Sequence, residues 1–284
     1  YVCPIRAREL EPKFSPGVQK WLQALAGDRY EDLMLWLVHC MDLDRPTAAL
    51  VLVGPKGTGK SAFANQLARI WTRQGAVDAQ SVFGSFNSDL MRCPIVLADE
   101  GPPRDQRGYL RTQEIRSFVS ERERTLKRKY MPNVTIRGCL RLIITANSLQ
   151  AMHTGETLSQ DDIAALGDRF FLVQCNEKAA DLARKHMGKW DEEDSIARHV
   201  LALIQMRPEE RSQERFVVTP KNDALFRQMN VTSGLRSDVC EFCIRYLKDQ
   251  KKTKTVGVFV EEGKLYLSSD GLMKAWGHYM SSDI

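Results

Sequence analysis

The chain has 284 residues, of which 43% are hydrophobic and 27% are charged, and its 41 Lys and Arg against 36 Asp and Glu give a net charge of +5. This composition excludes a disordered chain and a collagen-like fibre, and no apolar run reaches the roughly 18 residues that a membrane-spanning helix needs. We therefore expect a soluble globular protein with no membrane partner. The chain begins with Tyr1 and has no secretory signal, so we expect a cytoplasmic protein cut from a longer polypeptide.

Residues 15–44 have the apolar periodicity of helices, with a break at Gly27–Asp28. After them, short apolar strands alternate with helical segments as far as about residue 176. The predicted strands are 48–53, 82–86, 95–98, 140–145 and 170–174, and the predicted helices are 61–73, 112–123 and 159–166, the last with a capping box of Ser159 and Asp162. This alternation predicts an α/β domain with a mainly parallel sheet.

The C-terminal part has a different pattern. Helical patterns at 178–187 and 194–206 lead into a charged segment, 207–215, that we interpret as a linker. The remaining residues predict a helix at 237–248 and a hairpin of strands 256–260 and 264–267. We therefore divide the chain into an N-terminal helical segment (1–46), an α/β domain (47–206) and a small α+β module that resembles a winged helix (216–284).

The cysteines indicate a reducing compartment, because they number seven and most stand singly in apolar runs. Cys240 and Cys243 have the spacing of a zinc-binding pair, but no second pair of Cys or His residues follows them. Since they lie in the helical run 237–248, we interpret both as buried thiols.

A glycine-rich loop follows the first apolar strand. Its sequence, Gly54-Pro55-Lys56-Gly57-Thr58-Gly59-Lys60-Ser61, matches G-x-x-x-x-G-K-[ST] at every fixed position. Such a loop, between a buried strand and a helix, surrounds phosphates with backbone amides. We predict that it binds ATP, with Lys60 at the β- and γ-phosphates and Ser61 as a ligand of Mg²⁺. Lys56 occupies a variable position and is expected to face solvent.

Polar residues flank three further strand-like segments. Asp99 and Glu100 come after the strand 95–98, and we predict that Asp99 holds Mg²⁺ while Glu100 polarises the attacking water. Asn147, after the strand 140–145, is predicted to orient that water. Arg169 lies at the start of the strand 170–174 and is predicted to reach the γ-phosphate of a neighbouring subunit. An ion pair with a carboxylate is the alternative for Arg169.

The positive charge is concentrated in one segment. Between Arg104 and Arg141 there are 11 basic and 4 acidic residues, a net charge of +7 that leaves −2 for the rest of the chain. Pro132–Asn133 is typical of a turn, so the segment predicts a basic hairpin. A solvated charged face is the alternative, but the position between Glu100 and Asn147 favours contacts with nucleic-acid phosphates. The predicted DNA-binding residues are Arg124, Lys127, Arg128, Lys129 and Arg137.

The order of these motifs resembles that of the superfamily 3 helicases, which are AAA+ proteins of viruses, phages and plasmids. The glycine-rich loop, the acidic strand end, a basic element at about 125–138 and the Asn147 strand all lie within 100 residues. Phe86–Asn87 and the 168–170 segment are most similar to the phage and plasmid branch, where the helicase often follows a primase-polymerase domain. That branch often has two adjacent arginines before the Phe, whereas here only Arg169 is present.

The resemblance implies a three-layer AAA+ P-loop core in which residues 1–46 form a helical collar. It implies an ATP- and Mg²⁺-dependent DNA helicase of a phage, plasmid or other mobile element, acting in DNA replication in the cytoplasm of a bacterial host cell. The protein would form a hexameric ring on single-stranded DNA at a replication fork, with a fused or associated primase-polymerase. Two alternatives stay open: an AAA+ loader or remodeller acting on protein, and a non-catalytic initiator that nucleotide assembles on DNA.

Overall fold

We describe a computed structural model, which covers residues 5–84, 86–106, 111–148, 167, 169–206, 258–261 and 264–267. The chain divides into two compact units, Tyr1–Met229 and Asn230–Ile284. In the described part of the chain, no helix is long and apolar enough to cross a membrane.

The first unit is built around a five-stranded sheet in which every pair of neighbouring strands is parallel. This confirms the predicted α/β architecture with a parallel sheet. The strands, in chain order, are β1 (Ala49–Val53), β2 (Val77–Asp78), β3 (Ile95–Ala98), β6 (Arg141–Ala146) and β7 (Phe170–Gln174), and their order across the sheet is β2-β3-β6-β1-β7. All residues of β1, β3 and β6 are buried, as expected for parallel strands covered on both faces.

Seven α-helices are described. They are α1 (Pro16–Ala26), α2 (Tyr30–Val38), α3 (Lys60–Ala68), α4 (Ala79–Val82), α5 (Thr112–Ser120), α6 (Lys178–Glu192) and α7 (Ser195–Met206). The predicted break after the first helix is a short 3₁₀ helix, Gly27–Arg29. Helix α1 packs against α6 and α2 packs against α7.

The N-terminal helices share the hydrophobic core of the sheet. The indoles of Trp21 and Trp36 are fully buried, and the Trp36 Nε1–H donates to the carbonyl of Ala48, immediately before β1, at 2.9 Å. Helices α1 and α2 therefore stabilise the α/β domain directly. The role of residues 1–46 as a collar of a ring stays a prediction.

The predicted strand at 82–86 is wrong. The short edge strand is β2, and α4 follows it because the Asp78 side chain caps that helix by accepting the backbone N–H of Ser81 at 3.3 Å. The predicted helix 61–73 also ends early, at Ala68, where i→i−3 backbone hydrogen bonds replace the α-helical ones. The predicted helices at 159–166 and 237–248, with Cys240 and Cys243, lie outside the described residues.

The basic segment forms an antiparallel hairpin of β4 (Glu123–Arg128) and β5 (Met131–Arg137). The hairpin is thus confirmed, but its turn lies at Lys129–Tyr130, and Pro132–Asn133 belongs to β5. Tyr130 supplies the positive φ of 60° that the turn needs. Pro132 is tolerated in a strand because β5 is an edge strand of a two-stranded sheet.

The cysteines that stand singly in apolar runs are buried where the structure describes them. Cys40, Cys93, Cys139 and Cys175 are free and buried, and burial raises the pKa of the Cys40, Cys93 and Cys175 thiols to about 12. In the second unit, β8 (Val258–Glu261) and β9 (Lys264–Leu267) pair in an antiparallel hairpin, which confirms the predicted one. The winged-helix interpretation stays a prediction.

Candidate nucleotide-binding site

The glycine-rich loop joins β1 to α3 and requires glycine at two positions. A Cβ atom on Gly54 would lie 2.5 Å from the carbonyl oxygen of Cys175. Gly59 has a φ of 91°, and a Cβ there would lie 2.6 Å from the Met187 Cε. Gly54 is required because the loop passes so close to the backbone of Cys175, and Gly59 is required mainly by its positive φ, since the Met187 methyl could move aside.

Lys60 is the first residue of α3, and only 7% of it is exposed. Its Nζ donates to the carbonyl oxygens of Gly54 and Pro55, both at 2.8 Å. Burial lowers the pKa of Lys60, while the charge of Asp99 acts in the opposite direction. The ammonium is therefore desolvated and held inside the loop, where an anionic ligand would be a better partner than the two carbonyls.

Asp99 is the centre of a hydrogen-bond network that joins three segments. Its Oδ1 accepts the Ser61 hydroxyl at 2.7 Å and the Thr145 hydroxyl, and it also accepts the backbone N–H of Glu100 at 3.2 Å. A hydroxyl and a carboxylate oxygen are ligands that suit Mg²⁺. The donor set of Ser61 and Asp99 therefore fits this ion.

Glu100 has a positive φ of 62°, which is uncommon for a residue with a side chain. Its backbone N–H also donates to the Thr145 hydroxyl at 3.4 Å, and its side chain is exposed. The network around Asp99 thus holds Glu100 in a strained conformation at the end of β3.

These residues line one cavity of about 480 Å³. The order of the sheet explains why, since β6 lies between β1 and β3 and the ends of parallel strands meet at one edge. Asn147, at the end of β6, therefore lies between the glycine-rich loop and Asp99. The lining residues include Lys56, Gly57, Gly59, Lys60, Ser61, Asp99, Glu100, Thr145, Asn147, Ala183, Arg184 and Met187. Thus Lys56, expected to face solvent, is both exposed and at the cavity.

Helix α6 supplies one wall of the cavity, which the sequence motifs did not predict. Its contribution is Ala183, Arg184 and Met187. Arg184 is 78% exposed and forms an ion pair with Asp181, one turn earlier, at 3.3 Å. Basic residues are common on exposed helix faces and do not by themselves indicate a binding site, so only the fold could assign Arg184 to this cavity. Thr145 had a weak sequence signal, since it is a polar residue in an otherwise apolar strand end.

The first helix also touches the loop. The Trp21 Nε1–H donates to the carbonyl of Thr58 at 3.0 Å, and the Thr58 hydroxyl donates to the carbonyl of Pro55 at 3.1 Å. The Trp21 ring packs against those of Phe63 and Trp190. Helices α1, α3 and α6 therefore fix the inner side of the loop from behind.

Arg169 is not brought to this cavity. It precedes β7, and its carbonyl accepts the backbone N–H of Ala49 at the start of β1 at 2.8 Å. Both residues lie at the edge of the sheet opposite the strand ends that carry Asp99 and Asn147. The position excludes Arg169 from the cavity of its own subunit, and its action on a neighbour stays a prediction. Asp168 lies outside the described residues.

The basic hairpin separates its predicted DNA-binding residues into two groups. Arg124 is largely buried, lies over the Phe118 ring and pairs with Glu121 at 3.2 Å. Arg137 pairs with Glu123 across the two strands at 2.9 Å.

At the other end of the hairpin, Lys127 and Lys129 are exposed, and among the described residues neither has an ion pair with a carboxylate. Arg128 donates to the carbonyl of Pro132 at 2.8 and 3.1 Å. Lys129 lies over the ring of Tyr130, which is 92% exposed. Among the five predicted DNA-binding residues, the positive charge that is not paired with a carboxylate therefore lies at the tip.

Arg141, counted with the basic segment, does not belong to its surface. It is fully buried and donates to the carbonyls of His39, at 3.0 Å, and of Asp42. Next to it, the Cys139 N–H donates to the carbonyl of Leu43 at 2.6 Å. These bonds attach the base of the hairpin to the segment that follows α2.

Comparisons with known proteins support the fold. A family model described as "Family of unknown function (DUF5906)" matches residues 52–164, which include the glycine-rich loop, Asp99, the hairpin and Asn147. We found no match among curated proteins.

Among solved structures, the A-form apo NrS-1 C-terminal region is 16% identical with a TM-score of 0.58, over 86% of this chain and 59% of that chain. A second apo structure of that region, residues 305–718, is 17% identical with a TM-score of 0.51, over 86% of this chain and 57% of that chain. JCV helicase is 17% identical with a TM-score of 0.43, over 68% of this chain and 54% of that chain. This chain thus spans less than two thirds of the NrS-1 region, with which it shares its fold.

Proposed function

We propose that this protein is an ATPase that uses ATP hydrolysis to move on single-stranded DNA, as a helicase of the superfamily 3 type. The observation that carries the proposal is the convergence of the glycine-rich loop, Asp99, Glu100 and Asn147 around one cavity. The loop alone would support nucleotide binding. The added carboxylate and amide are the groups that hydrolysis needs, because they act on the attacking water rather than on the phosphates.

In this proposal the triphosphate is bound by backbone N–H groups of residues 56–61, because Pro55 has no N–H and the Gly54 N–H donates to the carbonyl of Ala146. Lys60 exchanges the carbonyls of Gly54 and Pro55 for phosphate oxygens. The phosphates are also stabilised by the positive partial charge at the N-terminus of α3. Ser61 and Asp99 would hold Mg²⁺, which neutralises charge on the phosphates when it is bound. Arg184 supplies a second cation from α6.

Glu100 and Asn147 then act on the water. The exposed carboxylate of Glu100 accepts its proton or polarises it, and the Asn147 amide orients it toward the γ-phosphate. Thr145 keeps Asp99 and Glu100 in register through its two hydrogen bonds.

The exposed tip of the hairpin supports DNA as the partner. Lys127, Arg128 and Lys129 present positive charge beside the exposed aromatic ring of Tyr130, and this combination suits single-stranded DNA, whose phosphates and unstacked bases both find a partner. Arg124 and Arg137, which are paired with carboxylates, contribute less in this proposal than their charge suggests.

We further propose a homo-oligomeric ring, a hexamer by resemblance, in which Arg169 acts on the neighbour's γ-phosphate. Its position at the sheet edge opposite its own cavity agrees with action between subunits. The remaining proposals rest on the resemblance: a role in replication of a phage, plasmid or other mobile element, a bacterial cytoplasmic location, and a fused or associated primase-polymerase.

The experiment that tests the function is the ATPase rate with and without a single-stranded oligo(dT), for the wild type and for Lys127→Ala/Lys129→Ala. We expect oligo(dT) to stimulate the wild type and not the double variant. Lys13→Ala/Lys20→Ala, which removes two exposed lysines far along the chain from the hairpin, is the matched control and should keep the stimulation. If oligo(dT) does not change the wild-type ATPase rate and does not bind to the protein, the helicase proposal is contradicted and a protein substrate is favoured.

A further inference from the structure

Asn87 makes three hydrogen bonds to the outer edge of the basic hairpin. Its Oδ1 accepts the backbone N–H of Lys127 at 2.7 Å, and its own backbone N–H donates to the carbonyl of Lys127 at 3.3 Å. Its Nδ2 donates to the carbonyl of Thr125 at 3.4 Å. One half-buried residue therefore forms hydrogen bonds with the open edge of β4, as a third strand would.

The strand register makes Lys127 dependent on this contact. Leu126 pairs with Val134, but Arg128 pairs with Met131, so Lys127 lies opposite two residues of β5 instead of one. Such a bulge interrupts the ladder and redirects the side chains near it. Asn87 binds both backbone groups of Lys127 at the point where the ladder is irregular.

Asn87 is itself held firmly by the α/β domain. Its carbonyl accepts the N–H of Leu90 at 3.3 Å at the start of a 3₁₀ helix, Ser88–Met91. Leu90 is fully buried, and so is Cys93 just before β3. The same short segment thus connects the edge of the hairpin to β3, which Asp99 follows.

We propose that Asn87 is a positioning residue for DNA binding: it fixes the backbone of Lys127 at the bulge so that the ammonium is presented to a DNA phosphate. This inference rests on the proposed function, because it assigns Asn87 to the same hairpin surface. Asn87 itself does not contact DNA in this proposal. Its effect is to keep the binding-competent arrangement of the tip populated before DNA arrives.

The expected size follows from the bonds that are lost. Asn87→Ala removes the short bond to the Lys127 N–H and the longer one to Thr125, and leaves the backbone bond. Loss of one or two such bonds lowers the population of the ordered bulge, and with it the apparent DNA affinity, by about threefold to tenfold.

The binding test uses a fluorescein-labelled 20-nucleotide oligo(dT) and fluorescence anisotropy at one fixed salt concentration. Asn87→Ala should weaken binding by about threefold to tenfold. Lys127→Ala should also weaken it, while the control Ser88→Ala, at the exposed neighbour, should stay within about twofold of the wild type.

Hydrogen exchange provides the readout that a general loss of stability would not give. The Lys127 amide should exchange faster in Asn87→Ala, while the amide of Ile144 in the central strand β6 keeps its protection. Asn87→Asp retains the Oδ1 acceptor and should restore protection of the Lys127 amide.

The outcomes separate the two proposals. If Lys127→Ala weakens binding and Asn87→Ala does not, the positioning role is wrong and the hairpin remains the DNA site. If Asn87→Ala weakens binding but leaves the Lys127 amide protected, the proposed cause is wrong. If the wild type does not bind oligo(dT), so that Lys127→Ala has no binding to lose, the DNA-binding function itself fails.

Discussion

Replacing Trp21 by Phe tests whether the first helix sets the conformation of the glycine-rich loop. The substitution keeps an aromatic ring beside Phe63 and Trp190 but removes the indole N–H that donates to the Thr58 carbonyl at 3.0 Å. Because Trp21 is fully buried, that carbonyl is left without its partner, at a cost of about 1–3 kcal/mol. The smaller ring adds a cavity cost of about 1 kcal/mol.

Trp36→Phe is the matched control. Trp36 is equally buried and also donates to a backbone carbonyl, that of Ala48 at 2.9 Å. Both variants should therefore lose about 2–4 kcal/mol of unfolding free energy. Only Trp21 contacts the loop, so only Trp21→Phe should also weaken ATP binding, by about twofold to tenfold for one lost restraining bond.

Urea unfolding gives the free energies, and titration with a fluorescent ATP analogue gives the affinities. The measurements are made well below the unfolding midpoint so that both variants are fully folded. If the two variants weaken ATP binding to the same degree, or if Trp21→Phe leaves it unchanged, the loop does not depend on the first helix.

Three further predictions concern the water, the tip and the core. Glu100→Gln should retain ATP binding but lower the rate of ATP turnover about a hundredfold or more. Mixing this variant with inactive Arg169→Ala should restore part of the ATPase activity. If the mixture shows no recovery, Arg169 does not act between subunits. Tyr130→Ala should weaken oligo(dT) binding about tenfold without changing the thermal midpoint. The control Met131→Ala, at the exposed neighbour, should leave oligo(dT) binding unchanged. Equal effects of the two variants would contradict stacking of DNA bases on the Tyr130 ring. Burial lowers the pKa of His199 from 6.5 to about 4. Between these pH values the imidazole is protonated in the unfolded chain but not in the folded one, so unfolding takes up a proton. The contribution of His199 to the free energy of unfolding is therefore complete above pH 6.5 and is lost as the pH falls toward 4. His199→Gln should make the thermal midpoint fall less steeply over that interval, and an unchanged slope would exclude His199 as the cause.

The sequence predicted the parts of the site that depend on local geometry. Loop residues 54–61 are recognisable because the Cys175 backbone leaves no room for a Cβ at Gly54 and the positive φ of Gly59 disfavours any side chain there. Asp99 and Asn147 were found for a similar reason, since each follows a short apolar strand. That all of them share one edge follows from parallel strands, so the cavity was predictable once the strands were.

The rest depends on which distant residues pack together. Nothing local in Trp21 or Arg184 indicates that α1 and α6 border the cavity. Charge counting also failed for Arg141 and Arg124, because a guanidinium can be buried against carbonyls or an aromatic ring instead of facing solvent. The helix at 79–82 was missed because a single capping side chain, Asp78, decides it against the apolar pattern.

The buried Arg141 restricts how force could be transmitted through this protein. It joins the root of the hairpin to the segment after α2, and its backbone N–H also donates to the Pro94 carbonyl before β3 at 2.9 Å. Bending the hairpin at its root would break these bonds and expose a buried cation. If the protein acts as the proposed ring helicase, the hairpin is therefore expected to move as a rigid arm together with the α/β domain that carries it.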